Sequence, residues 1–165
     1  MTINRDLIDS LQSDWKQERP ELNTDGMQIV GRILILSKIL ERRAGLAIAD
    51  FHICYTDLDV LATIRRSGKP YELTPSQLMK SVLISSGAMT ALLNRLSKLE
   101  LVYRASDSRD GRIKLVGLTK KGLKIIDRAI EQRMHEANES ITVLNKPERE
   151  ELSLLLKKLF VSLAL

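Results

Sequence analysis

The sequence predicts a mainly α-helical fold with a small β-hairpin, in which a winged helix-turn-helix lies between long N- and C-terminal helices. Two short helical segments, 74–82 and 86–99, follow each other closely, as in a helix-turn-helix. Two short strand-like segments, 101–104 and 113–118, then flank a charged tip that contains glycine, which is typical of a hairpin. Apolar residues recur every three or four positions towards both ends of the chain, which indicates amphipathic helices there.

The N-terminal part predicts two helices. Residues 4–17 form the first, and Pro20 ends it because proline lacks the amide hydrogen that a helix interior needs. A longer helix is expected from about residue 21 to 44, with Gly45 as its stop and residues 46–55 as a loop. The apolar faces consist of Leu7, Ile8, Leu11 and Trp15 in the first helix and Ile29, Val30, Ile33, Leu36, Ile39 and Leu40 in the second.

Capping residues indicate where the two central helices begin. The third helix is expected to start at Thr56 or Asp57 and to continue to about residue 66. After a turn at 67–70, Thr74 caps the fourth helix. Pro75 then occupies the first helical position, and Gln77 completes a capping box.

The C-terminal part predicts two further helices. Thr119 caps a long one, whose apolar stripe continues to Leu144. Asn145 either ends this helix or caps the last one, which has Pro147 and Glu148 in its first turn. The stripe of the long helix is Leu123, Ile126, Ile130, Met134, Ala137, Ile141 and Leu144, and that of the last helix is Leu152, Leu155, Leu156, Leu159, Phe160 and Leu163.

The helix at 86–99 has the composition of a DNA recognition helix. Its apolar face is Met89, Leu92 or Leu93, Leu96 and Leu99. The small or polar residues at its start and on its outer side are Ser85, Ser86, Gly87, Thr90, Ala91, Asn94 and Arg95. Small residues let the free amides at a helix start approach a phosphate, while Thr90 and Asn94 can contact base edges and Arg95 can reach phosphate or guanine. The alternative is a solvated helix face with an ordinary cap.

The hairpin tip carries more charge than a turn requires. Asp107, Arg109, Asp110 and Arg112 surround Gly111, and the Asp-Gly pair favours a tight turn. Two arginines on a projecting loop fit a narrow minor groove and its phosphates, with the aspartates bracing them. The alternative is a charged, solubilising turn.

The terminal helices are too apolar to remain uncovered, and the same helices of a second subunit are their natural partners. We therefore expect a single domain in which residues 1–46 and 120–165 are dimerisation helices and residues 56–118 form the winged helix-turn-helix lobe. A two-fold dimer places two recognition helices roughly 34 Å apart, which is about one turn of DNA.

Together these motifs resemble the MarR family of bacterial transcription regulators. Residues 107–112 are similar to its wing motif D-P-R-D-x-R with serine in place of proline, and residues 117–122 are similar to its x-L-T-x-x-G motif. Residues 85–90 are similar to the start of its recognition helix, whereas Glu100 replaces the usual glycine before the wing. The resemblance implies a homodimer that binds a palindromic operator in double-stranded DNA, usually represses, and is released by a small phenolic or anionic molecule or by thiol oxidation.

A finer resemblance is to the PecS and urate-responsive branch of that family. Its ligand set is a tryptophan, an aspartate and two arginines, and Trp15, Asp59 and Arg104 match three of the four by position. Leu92 occupies the place of the second arginine, which removes a bidentate partner for an anion. The resemblance therefore implies an effector other than urate, or one that is less acidic. Alternatively, Trp15 packs, Asp59 faces a helix dipole and Arg104 faces phosphate.

Other classes of function find little support. The alternation of Asp50, His52 and Cys54 lacks a second ligand cluster, so no metal site or cofactor is expected. Cys54 has no histidine spacing or basic sequence neighbour that would activate its thiol. With two histidines and no nucleotide-binding or nucleophile motif, an enzyme is not expected.

The composition suits a nucleic-acid partner and a cytoplasmic location. The net charge is +5 over 165 residues, and aromatic residues make up only 4%, which argues against a single-strand binder that stacks bases. No apolar run reaches membrane-spanning length and no signal peptide is apparent, so we expect a cytoplasmic protein without a membrane partner. The rival function is a winged-helix module that binds another protein and no DNA.

Overall fold

The computed structural model describes residues 4–82, 84–107 and 110–163, and it confirms a mainly helical fold with a small sheet. The helices are α1 (Leu7–Glu18), α2 (Asp25–Ala47), α3 (Tyr55–Arg66), α4 (Pro75–Val82), α5 (Ser86–Lys98), α6 (Lys120–Glu139) and α7 (Lys146–Leu163), and the strands are β1 (Glu72–Leu73), β2 (Val102–Ser106) and β3 (Lys114–Leu118). None of the helices described is long and apolar enough to cross a membrane.

The chain divides into two compact units, Met1–Arg43 and Ala44–Leu165. In the first unit, Arg32 of α2 forms hydrogen bonds with two aspartates at the start of α1. Its guanidinium donates to Asp6 at 2.8 Å and to Asp9 at 2.7 Å. The same two carboxylates cap α1, since each accepts the backbone N–H of the other residue at 3.0 Å.

The core of the second unit is built around α3. This helix packs against α4 and α6 and buries Leu58, Val60, Leu61 and Ile64. The recognition helix α5 contributes Met89, Leu92, Leu93 and Leu96 to the same core. Both leucines at 92 and 93 are buried, and Leu99 is half-buried. The amphipathic pattern therefore fixes which side of α5 remains outside.

The sheet has three antiparallel strands in the order β1-β3-β2. The predicted hairpin is present as β2 and β3, with Val102 opposite Leu118 and Ser106 opposite Lys114. The short edge strand β1 was not predicted. Two residues carry too little alternation to indicate a strand from sequence, and β1 exists because Glu72 and Leu73 pair with Gly117 and Val116.

The predicted C-terminal ends of two helices were wrong. Gly45 does not end α2, which continues to Ala47, and a short 3-10 turn at Ala49–Phe51 replaces part of the expected loop 46–55. Fully buried Ala44 and Ile48 explain this, because their packing holds the helix beyond the glycine. The helix α6 ends at Glu139 and not near Leu144, since three β-branched residues follow and the hydroxyl of Thr142 bonds to the Glu139 carbonyl at 3.0 Å.

Two helix starts also differ by a few residues from those predicted. Helix α2 begins at Asp25 rather than near residue 21, and α3 begins at Tyr55 rather than Thr56 or Asp57. The predicted Thr119 cap is confirmed, with its hydroxyl accepting the Gly122 N–H at 2.9 Å. The Asn145 cap of α7 is also confirmed, because Asn145 and Glu148 exchange two bonds of 3.1 and 2.7 Å.

The connection from α5 into the wing is a helix-ending turn centred on Glu100. Its φ is +59°, in the left-handed region, and its N–H bonds to the Ser97 carbonyl at 3.0 Å. The Leu101 N–H reaches back to the Leu96 carbonyl at 3.0 Å. This pair of bonds defines a Schellman motif, in which glycine usually occupies the left-handed position. The structure thus gives the physical reason for the glycine expected at this point, and this chain adopts the same turn with glutamate.

Candidate nucleic-acid interface

Helix α4 is capped by the residues that the sequence indicated, and helix α5 by a serine for which no capping role was predicted. The Thr74 hydroxyl accepts the Gln77 N–H at 3.2 Å, and the Gln77 side chain accepts the Thr74 N–H at 2.8 Å. Ser85 caps α5 by accepting the Ala88 N–H at 3.3 Å. Ser86 and Gly87 at the start of α5 are exposed, so the first amides of this helix face outwards.

The outer side of α5 is a continuous exposed surface formed by Thr90, Ala91, Asn94 and Arg95. The Thr90 hydroxyl donates to the Ser86 carbonyl at 3.0 Å. This bond orients the hydroxyl and leaves its lone pairs outward, so Thr90 is set up as an acceptor. Ala91 adds a small apolar contact surface of the kind that meets a thymine methyl group.

Asn94 is held by the wing. The guanidinium of Arg104, on β2, donates to the Asn94 side-chain oxygen at 2.7 Å, and this bond lies at the exposed surface. The Asn94 amide nitrogen is therefore the group directed away from this bond. Arg104 of the expected effector set and Asn94 of the expected base contacts are thus joined by one hydrogen bond.

Arg95 is engaged within the protein. Its guanidinium forms an ion pair with the fully buried carboxylate of Asp57 and donates to the Cys54 sulfur at 2.8 Å. Desolvation lowers the pKa of Arg95, but the Cys54 thiol and the Asp57 carboxylate outweigh it, and the net shift is upward. Because 46% of the Arg95 side chain remains exposed, the cluster lies at the edge of the α5 surface.

This cluster corrects one sequence inference. The sequence showed no basic neighbour for Cys54, whereas the fold brings Arg95 to it from 41 positions away. No pattern of spacing could have revealed the contact, because it depends on where the fold places Arg95 relative to the start of α3. Among the residues described, no group of His, Cys, Asp and Glu is arranged to hold a metal ion.

The wing presents an arginine at its tip. Asp110 accepts the Arg112 backbone N–H at 3.0 Å and its Nε at 3.2 Å, while 92% of the Arg112 side chain is exposed. Lys114, which the sequence analysis did not single out, adds a second exposed cation and donates to the Ser106 hydroxyl at 2.9 Å. Arg109 lies outside the described residues. The bracing role expected of the aspartates is thus visible at Asp110.

The residues of the expected effector set have different surroundings. Trp15 lies on α1 in the first unit with 44% of its surface exposed. Asp59 is half-buried on α3, and burial raises the pKa of its carboxyl, against the lowering effect of Arg66 and Arg133. The cations around Asp59 are thus Arg66 and Arg133, which sequence spacing did not indicate, while Arg104 bonds to Asn94.

The comparisons with known proteins agree with this architecture. Residues 55–113 match the model of the MarR family. The chain is 26% identical over 149 residues to the HTH-type transcriptional regulator PecS of Dickeya dadantii strain 3937, covering 90% of each chain.

Two solved structures are similar over nearly their full length. One is a mutant MarR from E. coli complexed with operator DNA, with a TM-score of 0.71, 25% identity and coverage of 94% of this chain and 99% of that one. The other is a MarR-like transcription regulator from Bacillus cereus, with a TM-score of 0.75, 24% identity and coverage of 86% and 99%.

Proposed function

Because this chain belongs to the MarR family of transcriptional regulators, we propose that it binds double-stranded DNA sequence-specifically as a homodimeric repressor. A small aromatic or anionic effector then releases it. The observation that carries the proposal is the exposed polar surface of α5 beside a wing whose arginine, Arg112, is almost entirely solvent-accessible. An α-helix with a short polar outer face fits the major groove, and a projecting arginine fits the adjacent backbone or minor groove.

The similarity to a mutant E. coli MarR that was solved in complex with operator DNA supports DNA binding by this fold. The apolar side of α5 is buried in the core, so only its outer side is available to a duplex. In this arrangement Thr90 and Asn94 contact base edges, the start of α5 contacts phosphate, and Arg112 reaches the flanking backbone. The family's activity is regulatory, which agrees with the expectation that the chain is not an enzyme.

The homodimer is supported by apolar surface that the single chain leaves uncovered. No residue of α7, all of which is described, is buried. Phe160 is 72% exposed, and Leu154, Leu155 and Leu163 are more than half exposed. A contiguous apolar surface of this kind marks an interface, and burial against a second copy would remove it from water. The segments 1–46 and 120–165 are accordingly proposed as the dimerisation helices.

The effector proposal depends on charge. Arg66 and Arg133 both act electrostatically on the half-buried Asp59 carboxyl, whereas Arg104 of the expected effector set bonds to Asn94. Arginine recognises carboxylates and other planar anions by bidentate bonding. A thermal-shift comparison of aromatic acids and purines on wild type and Asp59→Ala tests this part. Equal shifts in both proteins would remove Asp59 from the effector site.

The experiment for the DNA proposal measures affinity for duplexes covering the region upstream of the chain's own gene, over a range of salt concentrations. We expect binding that weakens steeply with salt, because each neutralised phosphate releases counterions. Arg112→Ala should weaken binding to all sequences and reduce the slope of log affinity against log salt by about one. Absence of any duplex binding at low salt would contradict the proposal and favour a protein-binding winged-helix module.

A further inference from the structure

We propose that Arg95 positions the recognition helix and does not contact DNA: its bonds to Asp57 and Cys54 fix the rotation of α5, and so the direction of Thr90 and Asn94. The proposal goes beyond the DNA-binding function above and depends on it. It also replaces the phosphate or guanine contact that the sequence suggested for Arg95.

The Arg95 guanidinium already has partners within the protein. It forms an ion pair with Asp57 and donates to the Cys54 sulfur at 2.8 Å. Both contacts are made by the same guanidinium nitrogen, Nη2, so they hold that end of the Arg95 side chain at the start of α3. Breaking the ion pair to reach a phosphate would leave the Asp57 carboxylate buried without a counterion, which is strongly unfavourable.

Asp57 is held in place on α3 by burial and by a hydrogen bond. Its side chain is fully buried, and its second oxygen accepts the Cys54 backbone N–H at 2.9 Å, which caps the start of α3. Helix α3 forms the centre of the core and packs against α4 and α6. An arginine bound to this carboxylate is therefore bound to the helix at the centre of the second unit's core.

The Arg95–Asp57 pair also determines where the expected base-contacting residues point. Asn94 directly precedes Arg95, and Thr90 lies one helical turn before Asn94. Neighbouring residues on a helix differ in direction by roughly 100°. Holding Arg95 on one side of α5 therefore determines the direction in which Asn94 points. With the Asp57 pair intact, Asn94 faces outward and meets Arg104 of the wing.

Asp57→Asn separates the two roles of Arg95. Asp57 is buried and anionic, so it cannot bind phosphate, and removing its charge would on simple electrostatic grounds strengthen DNA binding. The positioning role predicts the opposite. We expect Asp57→Asn and Arg95→Gln each to weaken binding to the preferred duplex by about tenfold, comparable to losing one base contact, with the wild-type salt slope.

The test compares wild type, Asp57→Asn, Arg95→Gln, the double variant and Arg112→Ala for affinity and salt slope on a duplex enriched from random sequence. The double variant carries neither charge and so has no unpaired buried carboxylate, and we expect it to bind no more weakly than either single variant. Thermal unfolding establishes that each variant is folded at the assay temperature.

Arg112→Ala is the matched control, because loss of an exposed phosphate contact should flatten the salt slope. A flattened slope in Arg95→Gln, or unchanged or tighter binding by Asp57→Asn, would overturn the positioning role. Failure of the wild type to bind any duplex at low salt would overturn the proposed function itself, which is a different result.

Discussion

Arg104 on the second strand of the sheet donates a 2.7 Å hydrogen bond to the side-chain oxygen of Asn94 on the recognition helix. The bond joins the wing to the helix at the residue best placed to contact a base. It also ties the proposed DNA surface to a residue of the expected effector set. An anion that withdrew the Arg104 guanidinium would leave the Asn94 amide free to rotate.

From this relationship we expect Arg104→Ala to lower sequence discrimination in the same way as Asn94→Ala. Each should cost about 1–3 kcal/mol in the difference between preferred and unrelated duplexes, if Asn94 makes a directed base contact. The double variant should lose little more than either single one, since both changes remove the same contact. Competition binding measures this, and additive losses would show that the two residues act independently.

The left-handed turn at Glu100 predicts a stabilising substitution. A non-glycine residue at a φ of +59° is strained, and Glu100→Gly relieves that strain at the loss of an exposed ion pair with Lys121. Glycine also gains freedom in the unfolded chain, which offsets part of the benefit. We expect a net gain of about 0.5–1 kcal/mol in unfolding free energy, measured by urea denaturation. A loss of stability would show that the Glu100 side chain contributes more than its geometry costs.

The start of α6 predicts a strongly destabilising substitution. A Cβ at Gly122 would lie 1.9 Å from the Leu101 carbonyl oxygen, and this atom also accepts the Thr119 N–H at 3.1 Å. Gly122→Ala must therefore push α6 away from the wing, at a cost of about 2 kcal/mol or more.

Gly45→Ala is the control for Gly122→Ala, because its added methyl meets no atom within 4 Å and glycine is a poor helix former. In thermal unfolding, Gly45→Ala should therefore raise the melting temperature relative to wild type, and Gly122→Ala should lower it. Equal melting temperatures for both variants would contradict the close approach at Gly122.

The raised pKa of the Asp59 carboxyl makes the stability of the protein depend on pH. Burial raises the pKa of its carboxyl above the ordinary value of 3.8, despite Arg66 and Arg133. The folded state then binds the proton more tightly than the unfolded state, so the contribution of this group to stability falls as pH rises through the folded pKa. We expect Asp59→Asn to melt at a higher temperature than wild type near neutral pH, with the difference vanishing below about pH 4.

The exposed Asp14→Asn serves as the control for Asp59→Asn and should shift melting little at any of these pH values. A lower melting temperature for Asp59→Asn at neutral pH would mean that attraction to the two arginines exceeds the burial cost.

Sequence reasoning succeeded where a local pattern has one physical solution. The caps at Thr74 and Thr119 follow from hydroxyls that accept nearby amides, and the buried side of α5 follows from helical spacing. It failed where packing overrides local preference. At Gly45 the helix continues, because Ala44 and Ile48 on either side of the glycine are buried in the core.

Contacts between segments that are distant in the sequence could not be predicted either. The pair of Arg95 with Asp57 depends on where the fold places α5 relative to the start of α3, and the bond from Arg104 to Asn94 depends on the contact of α5 with β2. The spacing of these residues in the sequence carries no signal for either contact. The surface proposed for DNA was therefore predictable, whereas the residues that orient it were not.

The central claim is that two copies of the chain present paired recognition helices to one duplex. Selection of duplexes from a random-sequence pool by the purified protein tests this most directly. We predict enrichment of an inverted repeat whose half-sites are centred about 10 base pairs apart. Enrichment of a single unpaired half-site, or no enrichment at low salt, would contradict it.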